Sequence, residues 1–115
     1  MSDTISLKDI AHARSGDKGN AANIGVIAYT DAGYAFLEQE LTPQRIAEHL
    51  AELRPQGIRR YMLPGIRAMN FVLPGILDGG ASRSLRIDSQ GKVLALSVLE
   101  MKLPRPENLA DMRPD

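Results

Sequence analysis

The sequence predicts an α+β sandwich, with an antiparallel or mixed sheet and helices on one face. Three observations carry that prediction. Ala22, Ile24, Val26 and Ala28 alternate with Asn23, Gly25, Ile27 and Tyr29, the period-two pattern of a strand with one buried face. Ile46, Leu50 and Leu53 recur at helical spacing. Strand-like and helix-like stretches run β-β-α-α-β-α-β-β, and this lack of strict alternation points away from a wound parallel sheet.

Each element has its own justification. From Thr4 to Ala13, Ile5 and Leu7 alternate and the phase then shifts to Ile10 and His12, which predicts a strand with a bulge near Lys8-Asp9. Residues 14–20 are polar and glycine-containing, so they read as a turn. Residues 21–30 are the next strand. Asp31 is placed as the N-cap of a helix carrying Tyr34, Phe36, Leu37 and Leu41. Thr42-Pro43 reads as a cap followed by proline at the first helical position, and the second helix ends at Arg54-Pro55-Gln56-Gly57. Ile58 to Leu63 is a strand that Pro64-Gly65 breaks, with Arg59-Arg60 on a solvated edge. Residues 66–77 fit a helix by their apolar content, although Pro74-Gly75 kinks or ends it. Ser84 to Asp88 and Val93 to Met101 read as a β-hairpin, its last strand apolar on both faces. The domain is expected over residues 1–101, with a proline-containing tail over 102–115 that is loose or docks on a neighbour.

Composition bounds the function. A chain of 115 residues forms one domain. At this length roughly 65% of the unfolded surface is buried, enough to fold without staples. With no cysteine, disulfides, thiolate nucleophiles and cysteine-ligated metal sites are excluded. The 14 basic and 14 acidic side chains cancel, and the pI is near 6.7, so there is no basic footprint for nucleic acid. No apolar run reaches the roughly 20 residues of a membrane span. Met1-Ser2-Asp3-Thr4 has no basic region and no apolar signal core, so the expectation is a cytoplasmic protein.

Two segments concentrate the chemistry. The first is His12-Ala13-Arg14-Ser15-Gly16-Asp17-Lys18-Gly19-Asn20, followed by Asn23. It supplies a base, two cations, a carboxylate, a hydroxyl and amides. Gly16 and Gly19 let a ligand approach the backbone. The spacing is that of neither a Walker loop nor a dinucleotide fingerprint. A hydrophilic connection closed by glycines accounts for the segment equally well. The second segment is Asn70 with Asp78-Gly79-Gly80-Ala81-Ser82-Arg83, where Arg83 can clamp a carboxylate or phosphate bidentately. A solvated loop feeding a hairpin is the plainer reading there. His49 reads as a boundary residue on its helix. His12 and Asp17 lack a metal-ligand spacing, so no metal is expected. Ser15, His12 and Asp17 are too close along one strand and turn to converge as a triad.

The same two segments carry a family resemblance. Ile10-Ala11-His12-Ala13-Arg14-Ser15-Gly16-Asp17-Lys18-Gly19-Asn20, with Ala22-Asn23-Ile24-Gly25-Val26-Ile27, resembles the opening of the AtuA-like domain. Met69-Asn70-Phe71-Val72-Leu73 and Leu77-Asp78-Gly79-Gly80-Ala81-Ser82-Arg83-Ser84-Leu85-Arg86-Ile87-Asp88 extend the resemblance, which spans roughly residues 5 to 101. That domain occurs at the C-terminus of acyclic terpene utilisation proteins and as a stand-alone small protein. The resemblance implies a ferredoxin-like two-layer sandwich, without an iron–sulfur cluster, with a mostly antiparallel sheet and helices on one face. It also implies a role in catabolism of branched or terpenoid acids, with a CoA thioester as substrate and no bound cofactor.

Three functions follow as expectations. In the first, the chain is an accessory subunit of an acyl-CoA-processing system. It joins a larger AtuA-like chain and contributes its two polar loops to a composite site. In the second it is a small acyl-CoA hydratase or lyase. His12 or Asp17 is then the acid/base, Arg14, Lys18 and Arg83 clamp the anion, and Asn20 or Asn70 polarises the carbonyl. Ser15, Gly16, Gly19, Asn23, Asp78, Gly79, Gly80 and Ser82 complete the ligand surface. In the third it is a binding or oligomerisation module without catalysis. A homo-oligomer suits all three, and neither nucleic acid nor a membrane is expected as a partner.

Overall fold

The computed structural model describes residues 3–18, 21–51, 55, 57–74 and 90–114. The chain opens with β1 (Thr4–Ser6), and a 3-10 turn over Leu7–Asp9 follows. This turn, rather than a bulge, produces the phase shift seen in the sequence. The Asp9 carboxylate accepts from the Ser6 N–H at 3.1 Å and closes the turn. Leu7 and Ile10 at its two ends are fully buried.

β2 (Ala11–Lys18) and β3 (Ala21–Ala28) form a hairpin whose register runs from Ala11 opposite Ala28 to Lys18 opposite Ala21. Residues 14–18 are therefore strand and not turn. Exposed His12 and Arg14 alternate with buried Ala11 and Ala13, as in a sheet with one face toward water. Two helices follow, α1 (Asp31–Glu40) and α2 (Pro43–His49). The N-cap of α1 is Thr30, one residue before the expected Asp31, and its hydroxyl accepts from the Gly33 N–H at 3.0 Å. Thr42 caps α2 as expected, accepting from the Arg45 N–H at 3.1 Å, with Pro43 at the first helical position.

β4 (Arg59–Leu63) and β5 (Ala68–Leu73) form a second hairpin. The stretch that fitted a helix is thus a strand. Met69, Phe71 and Leu73 are buried and alternate with half-buried Asn70 and Val72, and Pro74 follows the last paired residue. The four strands make one antiparallel sheet in the order β2-β3-β5-β4.

The last helix, α3 (Gln90–Leu99), replaces the expected second hairpin strand. Its buried residues are Leu94, Ala95 and Val98, followed by Met101, which is helical spacing. Ser84 to Asp88, the partner strand of that hairpin, lies outside the described residues. β6 (Lys102–Pro104) then pairs antiparallel with β1, and Leu103 is fully buried. Leu109 and Met112 are buried as well. The segment expected to be loose or to dock on a neighbour packs on its own chain, because these apolar side chains have a core to enter.

The architecture is an α+β sandwich with an antiparallel sheet. One face of the sheet buries Ala11, Ala13, Ala22, Ile24, Val26, Met69, Phe71 and Leu73 beneath the helices. Gly33 permits close packing there: a Cβ on it would stand 3.7 Å from that of Ala28 and 3.6 Å from that of Met112. Arg60 is not a solvated edge residue. Its Nη1 donates to the Glu38 and Leu41 carbonyls at 2.8 and 2.9 Å, tying β4 to the end of α1. The opposite face of the sheet displays His12, Arg14 and Asn23 of the first segment.

Candidate functional site

Register defines the open face. Residues directly opposite one another on antiparallel strands share a face. Three rows result. His12, Ile27, Ala68 and Leu63 form the first. Arg14, Gly25, Asn70 and Tyr61 form the second, and Gly16, Asn23, Val72 and Arg59 the third. Neighbouring strands are about 4.8 Å apart, so the backbones at Arg14 and Asn70 stand about 10 Å apart on either side of Gly25.

The missing side chain at Gly25 leaves a notch between Arg14 and Asn70. A Cβ there would stand 3.9 Å from the Arg14 carbonyl oxygen and 3.9 Å from the Asn70 side-chain oxygen. Asn23 bends over Gly16 in the same manner, its side-chain oxygen 3.3 Å from where a Cβ would be. His12, Arg14, Asn23 and Arg59 are exposed. Among the described residues these rows contain no carboxylate. Other arginines are held by the fold: Arg45 pairs with Glu40, Arg60 with two carbonyls, and Arg67 approaches Asp31 at 3.8 Å. Arg14 and Arg59 make no such contact among the described residues.

Apolar surface adjoins this polar patch. Tyr61, Leu63, Ile27 and Tyr29 are exposed on or beside the first two rows, and Ile66 in the β4–β5 turn is 63% exposed. Tyr61, Ile27 and Leu63 were not recognised as site residues. The alternation of 21–30 assigns Ile27 to the face opposite the core, whereas 58–63 does not alternate and only the register with β5 places Tyr61 and Leu63 there.

The structure thus brings His12, Arg14, Gly16, Asn23 and Asn70 onto one surface. Ser15 stands opposite Ile24, in a row of the covered face, and Asp17 pairs with Ala22. Positions 12 and 17 fall in rows of opposite faces, so the backbone does not gather them. Lys18 pairs with Ala21 at the end of the hairpin. Gly19, Asn20, Asp78, Gly79, Gly80, Ser82 and Arg83 lie outside the described residues.

β2 is an edge strand, and a cleft of about 380 Å³ runs between it and α3. His12, Ala13, Arg14, Ser15, Ala95, Leu96 and Leu99 line it. The Ser15 Oγ is buried and has no hydrogen-bond partner among the described residues. His49 serves structure instead. Its Nε2 lies 2.7 Å from the Ser97 carbonyl oxygen, so it donates there and joins α2 to α3. Among the described residues no three His, Asp or Glu side chains gather to hold a metal ion, and no helix is long and apolar enough to cross a membrane.

With the sheet, its open face and its sequence order in place, comparison with known proteins becomes informative. The sequence model of the AtuA ferredoxin-like domain matches residues 5–104. The chain belongs to the AtuA ferredoxin-like domain family. The match covers β1 through β6, including every residue of the open face. The family is associated with acyclic terpene utilisation proteins. Neither the curated proteins nor the solved structures contain a match to this chain.

Proposed function

We propose that this AtuA-like domain is an accessory unit of an acyl-CoA-processing system in branched or terpenoid acid catabolism. In this reading the outer face of its sheet joins a larger chain and forms one wall of a composite site. Family membership supports the metabolic setting. The observation that carries the rest is the set of uncompensated cations on an otherwise amide and apolar face: Arg14 and Arg59 have no ion partner among the described residues, and no carboxylate shares their rows.

The physics favours an anionic complement. An arginine with no partner in its own chain keeps its full capacity for bidentate bonds to phosphate or carboxylate. A CoA thioester carries several phosphate charges, and a partner chain can present carboxylates. A second copy of the same face offers neither, since two such faces would oppose cation to cation. The Gly25 notch lets a ligand or side chain reach the sheet between Arg14 and Asn70. The exposed Tyr61, Ile27 and Leu63 supply apolar area to bury beside it.

The test is affinity capture from the native host with a tagged copy, followed by identification of the co-purifying chains. A stoichiometric larger chain is the expected result with wild type. Arg14→Glu and Arg59→Glu together should abolish it while the circular dichroism spectrum stays unchanged. Recovery of only the 12.6 kDa chain at native expression, or full capture by the doubly substituted variant, defeats the reading.

A further inference from the structure

We propose that the cleft between β2 and α3 is a binding site for an aliphatic carboxylate. Ala13, Ala95, Leu96 and Leu99 make most of the wall aliphatic, and its volume of about 380 Å³ falls in the lower part of the roughly 300–1,000 Å³ range of small-molecule sites. An alkyl chain is the complement of that wall. Leu96 is 57% exposed although it sits on an apolar helix, so α3 leaves a large aliphatic surface uncovered at the mouth of the cleft.

The polar groups in the lining select the head group. The Ser15 hydroxyl is buried on the covered face and closed to solvent, so the head group is selected by the exposed groups of the lining. Arg14 and His12 line the same cleft and are exposed. One is a permanent cation and the other can become one. A carboxylate accepts two N–H groups of a guanidinium at once, so it is the complement of Arg14. An alcohol or an amine offers no charge complement to Arg14.

Arg14 and His12 also belong to the open face, because β2 is the edge strand. A chain held in the cleft therefore places its head at the border of the surface proposed above for the composite site. The proposal rests on the accessory reading only for that adjacency. Ligand binding is a property of this chain alone and is measured without a partner, so the two can fail separately.

The experiment is a titration of the isotopically labelled, full-length chain followed by two-dimensional NMR, with sodium octanoate, octan-1-ol and sodium acetate as probes. Octanoate should shift the amide signals of residues 13–15 and 95–99 and saturate. Octanol should shift the same signals more weakly, and acetate should not. Arg14→Gln should weaken octanoate roughly tenfold, the loss expected for one charge-assisted hydrogen bond, and leave octanol unchanged. Leu96→Arg, at an exposed position that does not threaten the fold, should block both probes. Shifts confined to other segments, or none, overturn the site. Equal binding of octanoate by wild type and Arg14→Gln overturns the assigned head group.

Discussion

The side-chain oxygen of Asn70 lies over Gly25, 3.9 Å from the point at which a Cβ on that glycine would stand. That distance is ordinary van der Waals contact, and Gly25 does not have a positive φ. Nothing in the fold therefore demands glycine at this position. Gly25→Ala should stabilise the domain by about 0.4–1 kcal/mol, because alanine loses less chain entropy on folding. Urea denaturation measures this directly. If the glycine serves the open face, the same variant gains stability but captures less of the partner. A loss of stability would show that the backbone at residue 25 is more constrained than its contacts indicate.

The two threonine caps give a second prediction. Thr30 and Thr42 each accept one backbone N–H at the start of a helix, at 3.0 and 3.1 Å. Thr30→Ala and Thr42→Ala should each cost about 1 kcal/mol. The caps sit on different helices and share no hydrogen bond, so the double variant should lose the sum within about 0.5 kcal/mol. Chemical denaturation of the four proteins checks both statements. Marked non-additivity would mean that α1 and α2 melt as one unit before the sheet.

These caps also show what the sequence makes legible. Thr42-Pro43 is readable because proline at the first helical position is a local signal. Thr30 was displaced by one residue, since Asp31 beside it is an equally good capping type. Alternation identified β3 for the same local reason. The last of the misread segments is α3. In Val93 to Met101 nearly every residue is apolar, so neither a period of two nor one of 3.6 stands out. Only tertiary burial of Leu94, Ala95 and Val98, with Leu96 left outside, reveals the helix. The candidate site was half legible. His12, Arg14, Asn23 and Asn70 are all candidates in the sequence, but Arg14 falls in an expected turn and Asn70 in an expected helix. Their meeting depends on strand register, and β3 pairs with β5 across the whole α1-α2-β4 excursion. No local pattern encodes that pairing.

Leu103 supplies a third prediction. It is fully buried in the short strand that pairs Ile5 opposite it, beyond the residues expected to form the domain. Leu103→Ala should cost about 2–5 kcal/mol, the range for truncating a buried leucine. A domain with a total stability of about 5–15 kcal/mol would feel such a loss severely. Thermal and urea unfolding provide the measurement. A cost below about 1 kcal/mol would indicate that β6 is an appendage and that the core is complete at Met101.

The last prediction concerns pH and the contact between Lys8 and Glu100. The Lys8 ammonium donates to the Glu100 carboxylate at 2.8 Å, joining the turn after β1 to the end of α3. The hydrogen bond, and then the charge attraction, holds the Glu100 carboxyl below its ordinary value of 4.5 and the Lys8 ammonium above its ordinary 10.5. The signs follow by linkage. A carboxyl with a lowered folded value contributes stability above its unfolded value and loses it as pH falls through the folded one. An ammonium with a raised folded value contributes below its unfolded value and loses it as pH rises through the folded one. The pair is therefore fully effective between the two ordinary values and fades outside them. Both side chains are more than half exposed, so solvent and salt screen the attraction and the effect is small. The Tm difference between wild type and Glu100→Gln should be largest near neutral pH, vanish in strong acid, and shrink at about 1 M salt, where charges are screened within about 3 Å. A difference that persists unchanged in acid would show that it does not come from the charge of Glu100.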